Sequence, residues 1–342
     1  MFQTIVIGTD GSPTARLAED AALMLATAVG SELLVVSAYT GDGEARAAAE
    51  MAVEETRRRA DATGVYTRTA VAEGEPSAVL VDHADRDDAD LIVVGDIGLG
   101  QRKRLRLGGI PDQISHEAPC DVLIVRTSEL AGGAGTGPDY KSVLIATDGS
   151  STASHAAHLG AELANRLGAS ITLAHVGDEL MGRIVLKDTA ERLGDPGLPQ
   201  RNAKGDPGMT IAKLAEDEES DLVVVGNKGM AGARRVLGSV PNTVSHAARC
   251  DVLIVHTVGR SPRDLKPGEG AIVEENGRKL AGYRDASGKL TVLSRKCTHL
   301  GCSVQWNATL QSWDCPCHGS RFDPYGKVVE GPAQRDLEVI GA

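Results

Sequence analysis

The sequence predicts two α/β domains with doubly wound parallel sheets, followed by a small all-β domain. Three observations carry this. First, a block of strands and helices occurs twice. Thr9-Asp10-Gly11-Ser12 returns as Thr147-Asp148-Gly149-Ser150, Asp90-Leu91-Ile92-Val93-Val94-Gly95 as Asp221-Leu222-Val223-Val224-Val225-Gly226, and the segment from Ser115 to Val125 as Ser245 to Val255. A repeat of this length means two similar units. Second, the apolar runs are separated by helical segments, the pattern of a parallel sheet covered on both faces. Third, five of the nine aromatics (Tyr283, Trp306, Trp313, Phe322, Tyr325) lie after residue 258. That stretch carries a local charge of +2, in a chain of −11 overall.

In chain order, Ile5-Val6-Ile7 is the first buried strand. Ser12 is a candidate N-cap and Pro13 fits a helix first turn. Gly30 marks the stop of that helix. Leu33–Val36 is a second strand, and a charged helix covers 43–62. Ala70-Val71-Ala72 is a third strand, Pro76 opens a helix, and Leu91–Val94 and Val122–Val125 complete the set. The three repeats are offset by 138, 131 and 130 residues. The second copy is therefore shorter, chiefly in its second helix. Residues 1–128 and 140–257 are read as the two domains, joined by a Gly-rich linker at 129–139. A Pro- and Gly-bearing linker is expected at 258–270. From 271 to 342 short alternating runs at 271–273, 278–283, 289–293 and 303–306 suggest a sandwich or barrel.

The charge balance argues against a general role on nucleic acid or anionic membrane. No run reaches the roughly 20 apolar residues of a membrane span. The N-terminus enters a strand pattern with no basic and apolar leader, so a cytoplasmic protein is expected. His83, His155 and His158 show no ligand spacing. His116, His246, Cys120 and Cys250 sit at matching repeat positions, which suggests structural roles.

Two sets of residues point to chemistry. Each α/β copy has glycines after its fourth strand: Gly95 and Gly98, then Gly108-Gly109; and Gly226 and Gly229, then Gly238-Ser239. Glycine lets backbone approach a ligand, and a helix N-terminus favours phosphate. The same pattern also suits a plain strand-to-helix turn. The other set is Cys297-Thr298-His299-Leu300-Gly301-Cys302, answered by Cys315-Pro316-Cys317-His318-Gly319-Ser320. Two cysteines and two histidines on two loop tips can hold iron or zinc. The tight Cys-x-His spacing and the extra cysteine in each loop depart from a zinc knuckle.

On these residues the C-terminal segment resembles a Rieske [2Fe-2S] domain, where two Cys hold one iron and two His the other. The resemblance implies Cys297 and Cys315 on the inner iron, and His299 and His318 on the outer. It implies a Cys302–Cys317 disulfide, and Gly331-Pro332-Ala333 as the proline loop beside the cluster. Ser320 matches a serine that donates to a cluster sulfide. Phe322 stands where respiratory relatives carry a tyrosine. With the repeat and Asp148 added, residues 1–257 resemble tandem universal stress protein domains, an adenine nucleotide alpha hydrolase-like fold. ATP-binding members share Gly-x2-Gly-x9-Gly-Ser/Thr and an Asp after the first strand. The match would place Asp148, Val176, Gly226, Gly229, Gly238 and Ser239 on nucleotide in copy two, and Asp10, Gly95, Gly98 and Gly108 in copy one. Copy two lacks one spacer residue. Copy one has Gly109 in place of a hydroxyl, acidic Asp96 in its loop, and Arg102, Lys103, Arg104 and Arg106 nearby.

The combined reading is a stress-associated protein whose [2Fe-2S] cluster transfers single electrons, coupled to nucleotide-binding domains, with ATP as a candidate cofactor. The expected partners are a redox donor and acceptor and an adenine nucleotide. The tandem copies are expected to pack as an internal pseudo-dimer, with a higher oligomer left open. No catalytic set is apparent. A cluster-based sensor and an interaction protein with a structural metal are the alternatives. An oxygenase would need a further mononuclear iron site that the segment after His318 is too short to supply.

Overall fold

The computed structural model describes residues 1–96, 107–127, 138–227, 237–256, 262, 265–275, 278–307 and 310–341. The chain divides into two compact units, Met1–Asp85 with Ala89–Thr257, and Arg86–Asp88 with Val258–Ala342.

In the first unit the turn after each leading strand is written into the sequence. Asp10 and Asp148 accept from the N–H of Ser12 and Ser150, both at 2.9 Å. Ser12 and Ser150 then cap their helices by accepting from Ala15 and Ala153. The first copy runs β1 (Thr4–Gly8), α1 (Pro13–Val29), β2 (Glu32–Tyr39), α2 (Gly43–Thr63), β3 (Thr67–Glu73), α3 (Pro76–Arg86), β4 (Leu91–Gly95), α4 (Gly109–Glu117) and β5 (Asp121–Val125). The second runs β6 (Ser142–Ala146), α5 (Ser151–Leu167), β7 (Ser170–Val176), α6 (Glu179–Arg192), β8 (Gln200–Ala203), α7 (Pro207–Asp217), β9 (Leu222–Gly226), α8 (Ser239–Ala247) and β10 (Asp251–Val255). As expected, α6 is shorter than α2, with 14 residues against 21.

The strands form one ten-stranded sheet in the order β3-β2-β1-β4-β5-β10-β9-β6-β7-β8. Strand alternation sorts its side chains. Ile5 and Ile7 face a core shared with α1, α2, α5 and α6, and Val6 faces the core under α3, α4, α7 and α8. Fully burying each such residue contributes about 1.5–3 kcal/mol.

All pairs within a copy are parallel, and the antiparallel β5–β10 pair joins the copies. This seam is reciprocal in its backbone. Arg126 N–H donates to Asp251 and His256 N–H donates to Asp121, each at 2.7 Å. Its side chains are unequal. Arg126 also donates to the Ser245 and Cys250 carbonyls, and Tyr140 donates to Asp251 at 2.6 Å. Burial pushes the Asp251 carboxyl up to about 6, and the Arg126 and Tyr140 bonds oppose that shift.

The second unit holds two antiparallel sheets. One is β11 (Glu269–Glu275), β12 (Arg278–Arg284), β13 (Leu290–Ser294) and β18 (Val339–Gly341). The other is β14 (Gln305–Asn307), β15 (Ser312–Asp314), β16 (Arg321–Phe322) and β17 (Val328–Glu330). β11 starts at Glu269, inside the segment read as linker, because Glu269 is in register with Arg284. Most of the linker read at 129–139 lies outside the described residues. Among the described residues no helix is long and apolar enough to cross a membrane.

Candidate metal centre and nucleotide crevice

The two Cys/His loops are near copies of each other. Cys297 N–H donates to the Cys302 carbonyl at 2.7 Å, and Gly301 N–H donates back to the Cys297 carbonyl at 2.8 Å. Cys315 N–H donates to the Ser320 carbonyl at 2.7 Å, and Gly319 N–H donates back to Cys315 at 3.0 Å. Each loop needs a residue in the left-handed region to close, and Gly301 (φ 77°) and Gly319 (φ 72°) provide it. The segment after β17 ties both loops down. Thr298 donates to the Arg335 carbonyl, and Ala333 N–H donates to Ser320 Oγ at 3.1 Å. Gly331 fits against the second loop only because it lacks a side chain. A Cβ there would lie 2.5 Å from Ser320 Cα.

The loops bring the four predicted ligands together. Cys297 and Cys315 are buried in one core with Trp313 and Phe322. His299 and His318 meet edge to face, with ring centroids 4.9 Å apart. His318 is exposed and His299 half-buried. His299 Nδ1 is buried with no hydrogen-bond partner. An unpaired buried ring nitrogen is costly unless something else meets its lone pair. Burial raises the Cys297 thiol above its ordinary range, and the Ser320 hydroxyl beside it works the other way. Two thiols, two imidazoles and an orphaned nitrogen therefore fit a centre with sulfur on one iron and nitrogen on the other.

The three sulfurs that lie within 4.8 Å of one another are Cys302, Cys315 and Cys317. That trio differs from the four ligands predicted. Ligands of a two-iron centre are shared between two ions and need not converge on one point. Cys302 and Cys317 are both thiols, so the disulfide expected between them from the resemblance is not formed in this structure. The two residues are instead thiol neighbours, and Cys317 is the main cause that pushes Cys302 up to about 12. Ser320 and Phe322 are both fully buried.

The described residues expected to meet nucleotide lie at or just past the C-terminal ends of strands. Strand order reverses between β1 and β4, and between β6 and β9, the place where open α/β sheets bind ligands. Asp10 and Asp148 follow β1 and β6, while Gly95 and Gly226 end β4 and β9. Val176 ends β7 and is half-buried. Gly108 and Gly238 are the N-caps of α4 and α8, with no side-chain cap bond, and Ser239 is the first residue of α8. Gly98, Gly229 and the basic residues at 102–104 and 106 lie outside the described residues.

Asp96, expected as an acidic group inside the loop of copy one, turns its carboxylate elsewhere. It is buried, and its Oδ1 accepts from Thr127 N–H at 2.9 Å and from Thr127 Oγ1 at 2.7 Å. Its Oδ2 lies 3.6 Å from Arg126. The carboxylate thus belongs to the β5–β10 seam. His246, placed as structural, contacts Asp112 Oδ1 at 3.1 Å across the same pair of copies.

A duplicated, doubly wound α/β fold followed by a β domain with two Cys/His loops defines the class of protein. The universal stress protein family model matches residues 1–126, 139–182 and 179–256, and the Rieske [2Fe-2S] domain model matches 256–341. The chain belongs to the universal stress protein family and carries a C-terminal Rieske domain, which implies a [2Fe-2S] cluster. It is 34% identical over 146 residues to universal stress protein Rv1636 of Mycobacterium tuberculosis, spanning 37% of this chain and 98% of that protein. It is 54% identical over 77 residues to YhfW of Bacillus subtilis, described as a Rieske 2Fe-2S iron-sulfur protein. That match covers 22% of this chain, and the chain spans only 15% of the length of YhfW. A universal stress protein from Archaeoglobus fulgidus has the same fold, with TM-score 0.57 and 16% identity over 74% of this chain and 98% of that one.

Proposed function

We propose that this stress-related iron-sulfur protein transfers single electrons through a cluster held by Cys297, Cys315, His299 and His318. The observation that carries the reading is the buried, partnerless Nδ1 of His299, set edge to face against His318 on the same two loops as the buried Cys297 and Cys315. A [2Fe-2S] cluster supplies one-electron exchange when bound. Cys297 and Cys315 would hold the buried side. The exposed His318 would give an outside donor or acceptor its point of approach. Ser320, fixed by Ala333, keeps its hydroxyl hydrogen for sulfur.

Iron and acid-labile sulfide analysis with EPR tests this on the purified chain. A Rieske signal is expected, and His299→Ala and His318→Ala should each abolish it. A normal spectrum in either variant would overturn the ligand assignment. The Cys302, Cys315 and Cys317 trio favours a second reading, a structural zinc, which zinc without sulfide would establish.

The tandem domains are proposed to bind adenine nucleotide, with copy two favoured because it keeps Gly238-Ser239 at an open helix N-terminus. The continuous sheet argues for testing this in the full chain. Calorimetry with ATP should lose the tighter site in Asp148→Ala and keep it in Asp10→Ala. The reverse pattern would refute the preference.

A further inference from the structure

Every tyrosine and tryptophan of the second unit belongs to one continuous stack. Trp313, fully buried, shares its core with Cys297 and Cys315. Its ring centroid is 4.9 Å from that of Trp306, its cross-strand partner. Trp306 is 5.3 Å from Tyr283, and Tyr283 is 5.7 Å from Tyr325. Tyr325 is 47% exposed, whereas Tyr283 is only 8% exposed. The backbone makes room for this path. A Cβ on Gly270 would fall 2.3 Å from the Trp306 ring, so the ring lies flat on a bare stretch of β11. Gly270 is itself the register partner of Tyr283.

We propose that these four rings form a relay that carries an oxidising equivalent from the buried surroundings of Cys297 and Cys315 out to Tyr325. This goes beyond electron transfer by the cluster and does not rest on it, because the rings need no iron to be tested. Indole and phenol are the side chains that release a single electron and survive as radicals. The order of the rings gives the relay a direction. A phenol that loses an electron must also lose its proton. Water can take that proton from the exposed Tyr325, and burial hinders the same loss at Tyr283, whose phenol it holds above the usual range.

The oxidant is a peroxide-derived hydroxyl radical formed beside the thiols. It takes one electron from Trp313 and a proton from water, and becomes water. Electrons then step from Trp306, Tyr283 and Tyr325 in turn. Tyr283 gives its phenol proton to water at its 8% exposed edge as its electron leaves, and takes one back when Tyr325 reduces it. Tyr325 ends as a neutral phenoxyl radical after its phenol proton passes to solvent, and the three inner rings are restored. One hydroxyl radical and one phenol thus give one water and one phenoxyl radical. Without such an exit the same oxidant would attack the cysteine sulfurs.

The chain's only two tryptophans are Trp306 and Trp313, which makes the test selective. The full chain is excited where indole absorbs and phenol does not, with a cobalt(III) ammine complex as the electron acceptor, and frozen for EPR. The complex takes one electron and falls apart as cobalt(II). A tyrosyl spectrum is expected in the wild type. In both Tyr325→Phe and Tyr283→Phe it should drop at least tenfold, and a tryptophanyl spectrum should replace it. Tyr283→Phe is decisive because Tyr325 is still present and only the bridge is lost. Peptide mass spectrometry after peroxide and ferrous ion should show several-fold more ring-opened tryptophan in each variant. A tryptophanyl signal in the wild type, or an unchanged tyrosyl yield in Tyr283→Phe, would mean that the rings only fill the core.

Discussion

Ser320→Ala separates two jobs of one hydroxyl. The oxygen accepts from Ala333 N–H inside a buried pocket, and the hydroxyl lies beside Cys297, whose thiol pKa it lowers. Deleting it orphans the Ala333 N–H, which should cost about 1–3 kcal/mol of stability. It also removes a donor to sulfur. Such a donor favours the more negative, reduced cluster, so its loss lowers the potential. If the differential strength of that bond is about 1–2 kcal/mol, the fall is roughly 45–85 mV, since a tenfold change is 59 mV for one electron. Protein-film voltammetry reads the potential, and urea melts read the stability. Iron content and the EPR integral confirm a full cluster. An unchanged potential with full iron content would refute the bond to sulfur. A changed potential with unchanged stability would refute the role of Ala333.

Phe322→Tyr should raise the potential, because the new hydroxyl would enter the core that holds Cys297 and Cys315. A stability loss of about 1–3 kcal/mol with no upward shift would show an unpaired buried hydroxyl instead. Tyr140→Phe should make stability more pH-dependent. The folded-state carboxyl of Asp251, at about 6, lies above the unfolded value near 3.9, so its contribution is present at low pH and lost as pH rises through about 6. Tyr140 steadies the ionised form. Its removal should therefore cost about 1.5–3 kcal/mol near pH 8 and about 0.5–1.5 kcal/mol near pH 5, read by urea melts. Equal losses would show that ionised Asp251 is not the acceptor.

Local signals in the sequence were enough to read the caps, the repeat and the metal loops. Ser12 and Ser150 act through neighbours three residues away, and the Cys/His spacing constrains loops of six residues. Seam residues gave no such signal. Asp96 read as part of a phosphate loop because its partners, Thr127 and Arg126, come to it only when β4 and β5 pair. β15, β16 and β17 have two or three residues each, too few to show alternation. Gly270 ends the stretch expected as linker, and Gly331 opens the proline loop that the resemblance implies. Their need for bare backbone comes from a ring and a loop distant in sequence.

The β5–β10 seam changes the terms on which this interface can vary. In a symmetric dimer of separate chains every substitution at the interface appears twice, so a residue must suit its own image. Here the two edges lie in one chain. The Arg126 position is answered by His256, and the Asp96 position by Asn227. A buried charge pair could therefore settle on one side without a second copy of itself across the axis. Covalent connection also makes the pairing independent of protein concentration. Each half is then free to diverge while the join is kept by the other.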